Sequence, residues 1–263
     1  MHKMKVLAAL GMALLAGCVL TTPVVADGMP AARKAKAVEV DERPAIGNWS
    51  GLYFGVNAGV AWSDIKQDFR TYDPEVYGFH NVKNDDSNGL LGGHIGLQHQ
   101  WGRFVVGVEA SYSGVGPFGH DWEGGDCNDG KGGACQSRLN SLFTVGPRLG
   151  LAHDNLMFYV TGGYASAQIQ TRYVNLQYDR EYFAASARHD GWFIGGGAEW
   201  AIHDRWVLGL EYLHVNLDSE QHWSKDGAPE VGITRSVDGD IDIVRARLSF
   251  KLGRGEHHAE PMK

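Results

Sequence analysis

From residue 51 to residue 63 the chain alternates without a break. Leu52, Phe54, Val56, Ala58, Val60 and Trp62 hold one phase, and Gly51, Tyr53, Gly55, Asn57, Gly59 and Ala61 hold the other. Successive side chains of a strand point to opposite faces, so a period of two means a strand with one greasy face and one small or polar face. The run is long for a soluble sheet, where strands usually have roughly five or six residues. A strand tilted across a bilayer needs about nine to eleven.

The same signature recurs over residues 89–101, 103–113, 139–152, 156–168, 191–202, 206–216 and 241–252. Three connections are tight turns: Trp101-Gly102-Arg103, His153-Asp154-Asn155 and His203-Asp204-Arg205. The others, 64–88, 114–138, 169–190 and 217–240, are long. Structureless loops of that length are uncommon inside a compact soluble domain. Short turns at one end and long loops at the other are the layout of a bacterial outer-membrane barrel. Trp62, Trp101, Tyr112, Tyr164, Trp192, Trp200, Trp206 and Tyr212 fall near the predicted strand ends, where aromatic girdles belong. The pattern predicts an all-β fold, an eight-stranded antiparallel transmembrane up-and-down β-barrel.

Composition agrees with this reading. Hydrophobic residues make up 43% and charged residues 21% of the chain, with 36 glycines. Only alternate barrel residues meet lipid, so mean hydropathy stays low. After residue 30 no apolar run approaches the roughly 18 residues of a membrane helix. A formal net charge of -7 argues against nucleic acid as a partner.

The N-terminus reads as a targeting segment. Lys3 and Lys5 precede an apolar stretch over 6–20, and Val24-Val25-Ala26 offers a small-residue cleavage site, which is the layout of a secretory signal peptide. Leu15-Ala16-Gly17-Cys18 also matches a lipobox, in which Cys18 would be acylated. Both routes are open at this point. The expected organisation is a signal peptide at 1–26, a periplasmic linker at 27–48, the barrel at 49–253 and a tail at 254–263. Cys127 and Cys135 remain, in a polar, glycine-rich segment. An even cysteine count in an exported chain predicts a disulfide between them.

The face opposite the greasy one carries charge. Arg103, Glu109, Arg148, Glu199, Glu211, Arg245 and Arg247 all fall on the inward phase. Counting from the short turns puts them near one level, the middle of the barrel. Charges of two signs in a narrow interior should pair, because an isolated buried charge is prohibitive. Eight strands enclose a space just wide enough for side chains to fill. The expected lumen is therefore a braced polar core, with the inner glycines making room for the long side chains.

Trp49-Ser50-Gly51-Leu52-Tyr53-Phe54-Gly55, Val160-Thr161-Gly162-Gly163-Tyr164-Ala165, Gly195-Gly196-Gly197-Ala198-Glu199-Trp200 and Leu210-Glu211-Tyr212 together resemble the small porin-like outer-membrane antigens of alphaproteobacteria, a family that includes haemin-binding members. The resemblance covers roughly residues 49–253 and rests on the ordered set rather than any single motif. It implies placement in the cell outer membrane, contact with outer-membrane lipids and lipopolysaccharide, and insertion by the barrel-assembly machinery. Family chains usually end on an aromatic residue; here Phe250 is followed by a tail.

Three functions are weighed. The leading one is a structural, surface-exposed envelope barrel with a largely filled lumen. The alternatives are loop binding of haem or a host component, and a narrow porin-like channel. No catalytic, cofactor or metal site is expected, and no enzyme activity. The 12 histidines are scattered, with His94 inward and His99 and His214 outward, and none has zinc-protease spacing. Asp126 to Gly130 and Asp238-Gly239-Asp240 miss calcium-loop spacing and read as turns. His214 with Ser219 is the nearest thing to a catalytic pair.

Overall fold

The computed structural model describes residues 48–70, 81–116, 123–127, 133–175, 180–222 and 234–252. The expected signal peptide with Cys18, the expected linker up to residue 47 and the expected tail lie outside the described residues. Among the described residues nine strands follow in chain order: β1 (Gly51–Arg70), β2 (Val82–Trp101), β3 (Phe104–Val115), β4 (Glu123–Asp126), β5 (Gly133–His153), β6 (Leu156–Asn175), β7 (Arg180–Ala201), β8 (Trp206–His222) and β9 (Thr234–Lys251).

Eight of them form a closed antiparallel ring. Each pairs with its neighbour in sequence, β3 pairs with β5, and β9 returns to β1. The closing seam runs from Tyr53 opposite Lys251 to Arg70 opposite Thr234. Closure leaves no open edge within the membrane, where unpaired backbone groups cannot be hydrated. The ninth strand, β4, is a short addition that pairs only with the upper part of β5. The disulfide between Cys127 and Cys135, with Cα atoms 5.7 Å apart, staples it there.

The outward phase carries a continuous apolar band. Phe54 is 45% exposed, Val160 61% and Leu210 60%, which only a hydrocarbon solvent makes favourable on this scale. At the end of β9, Phe250 packs its ring 5.8 Å from Phe54 and 5.1 Å from Trp206. The band ends at one level. Beyond it the outward residues become Asp64, Lys66 and Asp68 on β1, Arg188 and Asp190 on β7, and Asp238, Asp240 and Asp242 on β9.

The strands do not stop there. The long connections expected at 64–88, 169–190 and 217–240 are in large part continuations of β1, β2, β6, β7, β8 and β9. The physical reason is an inversion of polarity. Above the band water is outside, so the inner face becomes the greasy one: Ile65, Ile169, Val215, Leu217, Val237 and Ile241 belong to one buried apolar cluster with Leu90, Val115, Leu139 and Leu142. A bulge between Leu139 and Ser141 shifts the phase of β5, so that Leu139 and Leu142 both point inward. Asp238-Gly239-Asp240, read from sequence as a turn, lies within β9 for the same reason. A second, smaller apolar cluster lies at the opposite end around Trp49, Val105, Ala152, Met157, Ala201 and Val207.

Candidate functional site

Between those two apolar clusters lies a layer of buried charge. Glu109 (β3), Arg148 (β5), Glu199 (β7), Glu211 (β8), and Arg245 and Arg247 (β9) converge from five strands, and each occupies the inward phase that the period of two assigns it. Glu109 Oε2 accepts from Arg247 Nη2 at 2.5 Å and from Arg148 Nη1 at 3.0 Å. Glu211 accepts from Arg245 Nε at 2.5 Å through Oε2 and from Arg247 Nη1 at 2.6 Å through Oε1. Glu199 Oε1 lies 2.9 Å from Arg148 Nη2 and 3.9 Å from Arg247 Nη2. Three guanidiniums thus meet three carboxylates, and the layer is neutral.

Two phenols complete it. Tyr53 donates to Glu109 Oε2 at 2.6 Å and accepts from Arg148 Nη1 at 2.8 Å. Tyr159 donates to Glu211 Oε1 at 2.8 Å and accepts from Arg247 Nη1 at 3.1 Å. The Arg148 guanidinium stacks 3.8 Å from the Tyr159 ring centroid, adding a cation–π contact in a desolvated place. Arg245 Nη1 reaches Ser111 Oγ at 2.8 Å, and His94 Nε2 lies 2.8 Å from Ser249 Oγ. Inner glycines give these groups room. A Cβ on Gly209 would stand 3.0 Å from Glu199 Cγ and 3.5 Å from Arg247 Cβ, and one on Gly96 would collide with the Tyr53 ring.

Arg103 is a correction. Sequence reading placed it at the start of an inward-facing strand, but β3 begins at Phe104. Trp101 pairs with Phe104, so Gly102 and Arg103 form a two-residue turn, with Gly102 at φ 60°. That left-handed conformation favours glycine. A residue at such a tip faces water, and Arg103 is exposed, well away from the buried cluster. The structure does not bring His214 and Ser219 together either: His214 Nδ1 bonds Asp242 Oδ1 at 2.9 Å, while Ser219 Oγ bonds Ser236 Oγ at 2.6 Å.

Sequence reasoning missed the two tyrosines. A signal was present, because Tyr53 and Tyr159 are aromatics on the polar phase, flanked by Leu52 and Phe54 and by Phe158 and Val160. An aromatic with a polar tip in that position belongs with partners for its hydroxyl.

Comparison with known proteins places the molecule. The 31 kDa outer-membrane immunogenic protein of Brucella melitensis is 30% identical over 218 residues, covering 79% of this chain and 81% of the relative. Among solved structures, OprG of Pseudomonas aeruginosa matches at 13% identity and a TM-score of 0.47, covering 80% of this chain and 99% of that one. Ail, the attachment invasion locus protein of Yersinia pestis, matches at 12% identity and a TM-score of 0.34, covering 76% and 99%. A family model described as an outer membrane protein beta-barrel domain matches residues 36–240. The chain therefore belongs to the outer-membrane β-barrel family, in its small alphaproteobacterial branch, and resides in the outer membrane of a Gram-negative cell.

Proposed function

We propose that this chain is a structural, surface-exposed barrel of the cell envelope whose interior is closed to solutes. One observation carries the reading: a neutral layer of three buried arginines and three carboxylates lies between two buried apolar clusters inside the ring. A water-filled pore hydrates the groups that line it. Here Arg148 and Arg247 are each 2% exposed, and Arg148 Nη1 and Arg247 Nη1 and Nη2 donate to carboxylates and phenols on other strands. Charges so paired lock strands to one another rather than greet a permeant ion.

Surface exposure is supported by the strands that continue past the apolar band, and by the name of the Brucella relative, an outer-membrane immunogenic protein. The band itself faces the acyl chains of outer-membrane lipids and lipopolysaccharide. On this reading the barrel is not an enzyme. Planar-bilayer recording tests it: insertion of the purified, heat-modifiable barrel gives no discrete conductance steps. Reproducible single-channel openings from the folded form would overturn the closed interior and favour the narrow channel.

A further inference from the structure

Above the upper apolar cluster the interior turns polar again, with Gln67, Thr171, His189, His222 and Arg235 all buried. Two imidazoles meet there. His189 Nε2 lies 2.8 Å from His222 Nε2, with ring centroids 5.1 Å apart and the planes at 40°. The other nitrogen of each ring is already held. His189 Nδ1 lies 3.2 Å from the backbone oxygen of Asp218, which can only accept, so the proton sits on Nδ1 and Nε2 is a bare lone pair. His222 therefore donates from Nε2 to His189, and its Nδ1 accepts from Thr171 Oγ1 at 2.9 Å.

We propose that His189 and His222 form a bis-imidazole site for a late transition-metal dication, with Cu²⁺ the most tightly held. The two Nε2 atoms meet head-on from neighbouring strands. In the tetragonal geometry of Cu²⁺ two cis metal–nitrogen bonds of about 2.0 Å set the nitrogens about 2.8 Å apart, so the present separation is kept and the rings tilt to aim their lone pairs at the ion. No proton has to leave. As the ion takes the place of the shared hydrogen, the His222 proton moves from Nε2 to Nδ1 and is donated to Thr171 Oγ1, which turns from donor to acceptor. Both rings then give their second N–H to an oxygen, which is the outer support that metal-bound histidines require.

The surroundings suit a cation that prefers nitrogen. The hydrogen bonds leave one lone pair on His189 Nε2, and the His222 tautomer shift supplies the other. The carboxylates of Asp190, Glu220 and Asp238 act on His189 from β7, β8 and β9, and Arg235 of β9 opposes them at His222. Among the described residues no third His, Cys, Asp or Glu joins the pair in a metal-binding group, so water completes the coordination. Calcium and magnesium, which take oxygen ligands, are excluded by the donor set. With nitrogen donors and open positions, the order of affinity is Cu²⁺ above Ni²⁺ and Zn²⁺.

The test is Cu²⁺ titration of the full folded chain in detergent, followed by electron paramagnetic resonance. The expected result is one tight equivalent whose nitrogen hyperfine pattern reports two imidazoles. His189→Gln and His222→Gln should each weaken that equivalent at least tenfold, and Thr171→Val by about tenfold. His257→Ala/His258→Ala, in the tail, should leave it in place. Folding of each variant is read by heat-modified gel mobility. Fewer than two ring nitrogens on the bound copper of the unaltered chain would overturn the proposal even if a variant failed to fold. So would the absence of a tight equivalent, or an unchanged affinity in folded His189→Gln.

Discussion

Glu211 accepts hydrogen bonds from two guanidiniums and a phenol at once. Removing its carboxylate strands all three donors in a buried layer. Breaking one side of a buried ion pair costs about 3–5 kcal/mol, because the remaining charge keeps its desolvation penalty. Glu211→Ala should therefore lower the denaturant midpoint of the barrel and its resistance to heat in gel mobility, and should leave it non-conducting. Arg103→Ala, at an exposed turn, should change neither. A variant of Glu211 that conducts while keeping full heat resistance would contradict the bracing role. At this scale the sequence was informative for a definite reason: in a strand, residue parity decides the face. Parity and depth together identified Glu109, Arg148, Glu199, Glu211, Arg245 and Arg247. Parity failed at Arg103 because a turn residue has no face, and the boundary between turn and strand shifts by a residue with the turn type.

The elements show why strand ends were harder to read than strand middles. Within the membrane the outward phase is apolar, and that contrast marks a strand clearly. Above it β6 continues as Ala165, Ala167, Ile169 and Thr171 on the inside and Gln168 and Gln170 on the outside. This is still a period of two, but with its sense reversed, so reading only for an outward greasy face ends the strand at the membrane border. The bulge in β5 hides the reversal there by placing Leu139 and Leu142 on one face. β4 is out of reach of pattern reading, since Glu123–Asp126 is four residues with two glycines and is held by its pairing and the disulfide. The reversal makes a paired prediction. Ile169→Asp puts a charge into the upper apolar cluster and should open the extracellular hairpins to protease while the membrane section stays folded. Gln168→Glu, one residue away on the wet face, should do nothing measurable. Equal protease resistance in the two variants would mean that the upper strands do not enclose a dry core.

At the scale of the whole barrel the proposed closed interior is, among the described residues, a series of layers. Residues 48–50 are stapled beneath the ring: the Trp49 backbone N–H donates to Gln100 Oε1 at 2.8 Å, Gln100 N–H donates to Ser50 Oγ at 3.0 Å, and Lys251 Nζ donates to the Asn48 carbonyl at 2.8 Å. These bonds fold the fully buried Trp49 side chain into the periplasmic end. Above it come the neutral charge layer and then the extracellular apolar cluster. Barriers in series conduct no better than the tightest of them. Trp49→Ala should cost about 3–5 kcal/mol, as large aromatic truncations in a packed cluster do, and show as a lower denaturant midpoint. It should still produce no conductance in a planar bilayer, because the ion-paired layer and the upper apolar cluster remain above the lost plug. If Trp49→Ala alone opens discrete channels, the upper layers are not barriers. The charged layer would then have to be read as the lining of a pore that the N-terminal tryptophan stoppers. The loss of midpoint without gain of current is the result that fits three independent closures, and it separates a barrel braced throughout its height from one that is merely corked.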